Sequence, residues 1–218
     1  MLTEDYFMRM INQMVAVLVK IAGLINAGRY QEAHEIIDQS LAQLLGMKAG
    51  LLKQLDEFSM LNILTTQGKL DSDRLYVVAD LYQLEGDIYT DKNQISDANA
   101  DYLRALIFYL EISTMYGSNN FSGLTDKIEG LHKKLDNLEL PIEINILLFE
   151  HYQQQGNYRE IEYIIPKLLP FLDDHPEILP AIITYYESLL KKSDQELLSK
   201  GISVQLVQDN LTLINTRT

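Results

Sequence analysis

Apolar residues recur at spacings of three and four along almost the whole chain, and almost no run alternates with the period of two that marks a strand. A chain patterned this way buries its apolar surface by packing helix on helix. The opening segment sets the pattern. Phe7, Met10, Ile11, Met14, Leu18, Ile21 and Ile25 form one stripe between a Thr3 cap and Gly28. Val15, Val17, Val19 and Leu24 widen that stripe past one face, which predicts neighbours, or a second chain, on more than one side.

Only 11 Gly and 5 Pro punctuate the 218 residues, and they divide the chain into segments of helix length. The pattern predicts helices over 3–26, 31–45, 51–67, 72–91, 96–116, 121–138, 141–155 and 158–173. Gly68 ends the third, Ser72 caps the fourth, and Gly117 to Asn120 form a loop. Pro166 and Pro170 each remove a backbone donor and predict a kink or break; Pro180 should strain a further helix that reaches Lys192. Ser193 with Glu196 reads as a capping box. Beyond Gly201 a helix through Val204, Val207, Leu211 and Ile214 and a short strand through Leu211 and Leu213 both fit. The expected organisation is a helical domain over 1–192 and a capping segment over 193–218.

One local pattern repeats. Gly28-Arg29-Tyr30-Gln31-Glu32-Ala33 recurs as Gly156-Asn157-Tyr158-Arg159-Glu160-Ile161, each time between two helical segments. Between them lie Tyr82, Gly86 and Tyr89, followed by Ala98, Tyr102 and Ala105. This set resembles the tetratricopeptide repeat, in which an aromatic, a Gly and a Tyr on one helix interlock with an Ala, an aromatic and an Ala on the next. Ala33, Ala98 and Ile161 are 65 and 63 residues apart, close to twice that repeat's 34-residue period. The outer two units depart from it, with Ile21 and Phe149 at the packing Gly and Ser40 and Leu168 at the last Ala. The opening Asp5-Tyr6-Phe7-Met8-Arg9-Met10-Ile11 also resembles the start of a group of uncharacterised bacterial proteins. The resemblance implies an all-α fold of about nine or ten helices, stacked as antiparallel hairpins in a right-handed superhelix. It also implies a concave face lined by first helices that holds a peptide or partner helix. In the best-matched unit that face would carry Asp80, Gln83, Asp87, Thr90 and Asp91, and in the third unit Glu143 and Glu150 hold equivalent places.

Charge placement fits either a solvated acidic face or a groove for a basic peptide or helix. The net charge of −13 disfavours nucleic acid and anionic membrane as partners. From Asp71 to Asp101 there are eight acids and two bases, and Asp73, Asp80 and Asp87 are seven apart with Asp91 four further on, so all four share one helix face. Catalytic signals are thin. His34, His132, His151 and His175 are scattered, no phosphate loop or nucleophile motif occurs, and the segment from Asp91 lacks the Gly and closing Glu of a calcium loop. Asp97 and Asp101 share a helix face and are assigned to hydration.

The sequence therefore predicts a protein- or peptide-binding scaffold without cofactor, metal or catalytic residues, whose groove of Asp80, Gln83, Asp87, Asp91, Glu143 and Glu150 favours a basic partner. Two alternatives remain. One is a hydrolase or other enzyme using groove carboxylates and His151; the other is a homo-oligomer joined through Val15, Leu18, Ala22 and Ile25 of the first helix. With no cysteine, no basic signal and no apolar run of spanning length, a cytoplasmic location is expected.

Overall fold

The computed structural model describes the backbone of residues 2–48, 51 and 54–215, and the side chains of the same stretches apart from 2–12, 119 and 215. Among the described residues the chain is mostly helical and divides into two compact units, Met1–Leu138 and Glu139–Thr218. The first holds α1 (Leu2–Asn26), α2 (Tyr30–Leu45), α3 (Glu57–Ile63), α4 (Ser72–Asp91), α5 (Ile95–Tyr116) and α6 (Leu124–Lys134). Here α4 packs on α1, α2 and α5, and α5 packs on α6. The second holds α7 (Ile142–Gln155), α8 (Tyr158–Leu168), α9 (Ile178–Leu189), α10 (Asp194–Ser199) and α11 (Val204–Asn215), with α7 against α8 and α9 against α11. No described helix is long and apolar enough to cross a membrane.

Three hairpins, α1–α2, α4–α5 and α7–α8, share one turn. The first helix of each closes with a residue in the left-handed region: Gly28 (φ 69°), Asn93 (φ 56°) and Gly156 (φ 63°). The next amide then donates back five residues, Arg29 to the Leu24 carbonyl, Gln94 to Tyr89 and Asn157 to Tyr152, at 2.8–3.0 Å. Carbonyls that the helix end would leave unpaired are thereby satisfied. Five residues past each turn residue, Ala33, Ala98 and Ile161 are buried against the partner helix. The middle turn hides from a glycine search, because Asn is the other residue that adopts this conformation at low cost.

Several local expectations are corrected. The helix expected over 51–67 is shorter at both described ends: α3 runs over Glu57–Ile63, capped by Asp56 accepting from the Ser59 amide at 2.7 Å. A two-stranded hairpin then pairs Thr65–Thr66 with Lys69–Leu70, because Gln67 (φ 53°) and Gly68 (φ 75°) supply the two left-handed positions of a tight turn. Part of that prediction, at residues 52 and 53, and the Thr3 cap lie outside the described residues or side chains. Asp71 rather than Ser72 caps α4, accepting from the Arg74 amide at 3.1 Å. The helix expected from Phe121 begins at Leu124, since Gly123 is left-handed and Phe121 is extended and stacks on Tyr76. Pro180 causes no strain, because it sits in the first turn of α9 where its missing donor has no partner to lose. The break near Pro166 and Pro170 arrives at Leu168, where α8 tightens into a 3-10 turn. Ser193 accepts from the Glu196 amide at 3.2 Å, while the Glu196 carboxylate turns to Lys192. Past Gly201 the chain is helix, with Val207 and Ile214 buried.

Among the described glycines the tightest surroundings are those of Gly86. A Cβ there would lie 2.6 Å from two ring atoms of Tyr102 and 3.2 Å from the Ala98 carbonyl. Gly130, inside α6, meets nothing within 4 Å. The two sites make opposite predictions for one substitution. Gly130→Ala should stabilise by about 0.5–1 kcal/mol through backbone entropy alone. Gly86→Ala must displace Tyr102, and overpacking of about 1–3 kcal/mol should outweigh the same entropic gain. Urea unfolding of both variants checks this; equal shifts would refute the close contact.

Candidate functional site

The acidic face of α4 is built as two rungs. Asp80 and Asp87 on α4, Tyr109 and Tyr102 on α5, and Lys127 and Lys134 on α6 are each seven residues apart, two helical turns, so each pair shares a face. Because α5 runs back along α4, its order is reversed. In one rung the Tyr109 hydroxyl and the Lys127 ammonium both donate to Asp80, and Gln83 Oε1 accepts from the same hydroxyl at 3.3 Å. In the other, Tyr102 and Lys134 donate to Asp87 at 2.7 and 2.5 Å, with Thr90 Oγ1 2.9 Å from the Tyr102 hydroxyl. The lysines also lie over rings: Lys127 is 4.7 Å from the centre of Tyr76, and Lys134 is 4.2 Å from that of Tyr102.

This pairing sets the chemistry of the face. Burial, with the charge of Asp80 added, pushes Tyr76 up to about 12 and Tyr109 well above its ordinary value. Burial pulls Lys134 down, but hydrogen bonds to Asp87 and Tyr102 and the charge of Asp87 outweigh it and leave the ammonium above its ordinary value. The phenols stay protonated and the ammonium stays charged near neutrality. Among the described residues no set of three His, Cys, Asp or Glu is placed to hold a metal ion.

Beside the rungs, Leu18, Val19 and Ala22 of α1 meet Asp80, Gln83, Leu84 and Lys127 around an open cavity of about 250 Å³. Residues assigned from the sequence to partner binding and to self-association thus converge on one face. Val15 and Val19 are 56% and 70% exposed, Leu18 and Ala22 half-buried, and Ile25 is buried within the fold. Asp91 is exposed and accepts from the Tyr30 hydroxyl at 3.3 Å. Glu143 and Glu150 are exposed on α7, in the second unit. His151 beside Glu150 is fully buried, and burial lowers its imidazole to about 4, so it is neutral and out of reach of any surface groove.

Sequence reasoning missed Lys127, Lys134 and Tyr109 and read Tyr102 only as a packing residue of the hairpin. The signal was present: Lys127 and Lys134 repeat the seven-residue spacing of Asp80 and Asp87. It also missed Glu162 of α8, which is half-buried in the second unit and accepts from Tyr186 and from Asn210 Nδ2 at 2.9 Å each, with Tyr185 at 3.5 Å, so that one carboxylate ties α8 to α9 and α11. No spacing rule could link position 162 to position 210.

Paired antiparallel helices with a mixed apolar and ion-paired face define an all-α protein of helical hairpins. The chain belongs, over residues 1–218, to the family of unknown function DUF6483. No curated protein and no solved structure matches it.

Two stability measurements test the site geometry. Asp80 and Lys127 are more buried than Asp87 and Lys134 (side chains 13% and 29% exposed against 33% and 43%). Double-mutant cycles should therefore give a coupling of about 1.5–3 kcal/mol for the first pair and about 0.2–1 kcal/mol for the second. The reverse order would contradict the burial argument. For Glu162, burial raises the carboxyl against the opposing hydrogen bonds. A raised native value means the ionised form costs stability, so that cost is present near pH 7 and is relieved as pH falls through the raised value. Glu162→Gln keeps an acceptor for Tyr186 and Asn210 and should match or exceed the parent at pH 7, with the advantage vanishing below about pH 4.5. Glu162→Ala strands both donors and should cost about 1–3 kcal/mol at either pH.

Proposed function

We propose that this protein is a non-catalytic interaction scaffold of tetratricopeptide-like hairpins, and that the face made by α1, α4 and α6 of the first unit holds an amphipathic segment of a partner protein. The carrying observation is the groove in which Leu18, Val19, Ala22 and Leu84 adjoin the Asp80–Lys127 pair, with Val15 and Val19 open to solvent. An apolar strip bordered by fixed ion pairs is the kind of patch that marks an interface, because burying one such side chain contributes about 1.5–3 kcal/mol. The hairpin family is supported by three equivalent turns and by the burial of Tyr82, Gly86, Ala98, Tyr102 and Ala105 together.

Partner charge follows from what the rungs leave over. Asp80 and Asp87 are neutralised within the chain, so they offer a ligand less charge than their spacing suggested. Asp73 and Asp91 continue the same line of α4, are exposed, and form no ion pair among the described residues. The partner segment accordingly presents apolar residues to α1 and basic ones to the two ends of α4. Against catalysis, the phenols and ammonium on this face are shifted away from neutrality, the opposite of what a general acid or base needs. The exposed valines also favour a second reading, self-association through α1.

Val15→Glu with Val19→Glu, both at exposed positions, should leave the circular dichroism and melting temperature unchanged. As bait in the native cell extract, quantified by mass spectrometry, this variant should lose about tenfold or more of a specific partner captured by the parent. Equal capture by parent and variant overturns the groove reading. A parent that sediments as a dimer while the variant sediments as a monomer establishes self-association instead.

A further inference from the structure

We propose that the second unit binds a further copy of this chain head to tail, with Leu198 of one copy seated in a cavity at the start of α9 of the next. This contact lies wholly in the second unit and does not depend on the α1–α4–α6 groove.

The cavity forms where α8 ends and α9 begins. Leu168 and Ile178 are buried in the core of the unit, whereas Leu169, Leu172 and Leu179 are half-buried and line an open space of about 370 Å³. One water needs only about 10–15 Å³ of such space. Pro170, Asp173 and Pro176 complete the wall. The wall is built before any ligand arrives. Its two prolines have fixed backbone angles, the His175 amide donates to the Phe171 carbonyl at 2.9 Å, and the Ile178 amide donates to the His175 carbonyl at 3.1 Å. A cavity organised in this way loses little conformational entropy when it is filled.

The same unit holds an apolar side chain that its own fold does not cover. In α10, Leu197 is fully buried and its carbonyl accepts from the Ile202 amide at 3.1 Å, which anchors the short helix on that side. Leu198, the next residue, is 63% exposed. It is not part of the wall of its own copy's cavity, so a single copy leaves both the knob and the hole open. The cavity lies at the N-terminal end of α9 and α10 follows its C-terminal end; the 12 residues of α9 span about 18 Å. A knob and a hole at different places on one surface make a heterologous contact, which repeats from copy to copy.

Charge selects the pairing. Asp173 and Asp174 beside the cavity are exposed and form no ion pair among the described residues. Residues 190–200 hold Lys191, Lys192 and Lys200 against Asp194 and Glu196, and Lys192 holds Glu196 at 2.6 Å. Lys191 and Lys200 are exposed and form no ion pair among the described residues. A chain of net charge −13 repels its own copies over most of its surface. Contact between copies is therefore favoured where a local excess of lysine meets an acidic rim.

Sedimentation velocity of the full chain, from micromolar to millimolar concentration, tests the contact. The parent should pass from monomers to dimers and larger species as concentration rises. Leu198→Ser and Asp173→Lys, both at exposed positions, should keep the parent's circular dichroism and melting temperature, and each should weaken association by about tenfold or more. Mixed in equal amounts, the two variants share one intact Leu198 and one intact cavity, so they should form heterodimers and nothing larger. A parent that stays monomeric throughout, or a mixture that does, would overturn the assignment. So would an association that Leu198→Ser leaves untouched and Val15→Glu with Val19→Glu abolishes, which would place the contact on α1.

Discussion

The missing side chain at position 86 is the constraint on which the first unit depends. It lets α4 and α5 approach until the Tyr102 ring fills the space a Cβ would occupy. From there the Tyr102 hydroxyl reaches Asp87, Thr90 and Lys134 together. One close backbone approach thus sets the register of two helices and positions the third, because α6 can satisfy Asp87 only if Lys134 arrives at the same level. Tyr109, seven residues along, repeats the arrangement at Asp80. A larger residue at 86 would separate the helices and leave each carboxylate half-buried without its donors.

Those rungs change what the acidic run means. A carboxylate in water is an open invitation to a cation, whereas one already held by a phenol and an ammonium is a structural joint. Along α4 the two kinds are segregated: Asp80 and Asp87 in the middle bind the fold together, while Asp73 and Asp91 at the ends stay exposed. Further carboxylates gather around Glu85, where α2 and α5 add Asp38, Asp97 and Asp101, and there His34 meets Glu85 and Gln94 donates to Asp97. Asp97 and Asp101 share a helix face in the sequence and read there as hydrated acids. Packing brings Tyr82, Tyr89 and the buried Glu85 beside them.

Legibility in the sequence follows the range of the interaction. Helix positions, the Gly28 and Gly156 turns, the Ser193 cap and the Tyr82, Gly86, Ala98, Tyr102 and Ala105 set are local, spanning a turn or one hairpin, and could be read directly. The errors are also local, and they fall where chemistries compete. Thr65 and Thr66 continue a helical pattern, yet Gln67-Gly68 can fold into a tight turn, and pairing with Lys69 and Leu70 wins. At position 93 an asparagine does a glycine's work. The candidate site was half legible: Asp80, Gln83, Leu18 and Ala22 were all singled out, in two separate sets, and only packing showed that they border one groove.

By itself the sequence determined that this chain is helical, paired into antiparallel hairpins and free of thiol chemistry, because periodicity, turn residues and composition act over a few neighbouring positions. Tertiary structure alone decided which charges are available. Whether Asp80 meets Lys127, whether Glu162 meets Asn210, and whether Glu85 meets His34 depend on residues 47, 48 and 51 positions apart. An electrostatic interaction is set by distance in space and by burial, and neither is encoded in spacing along a chain until the helices have packed.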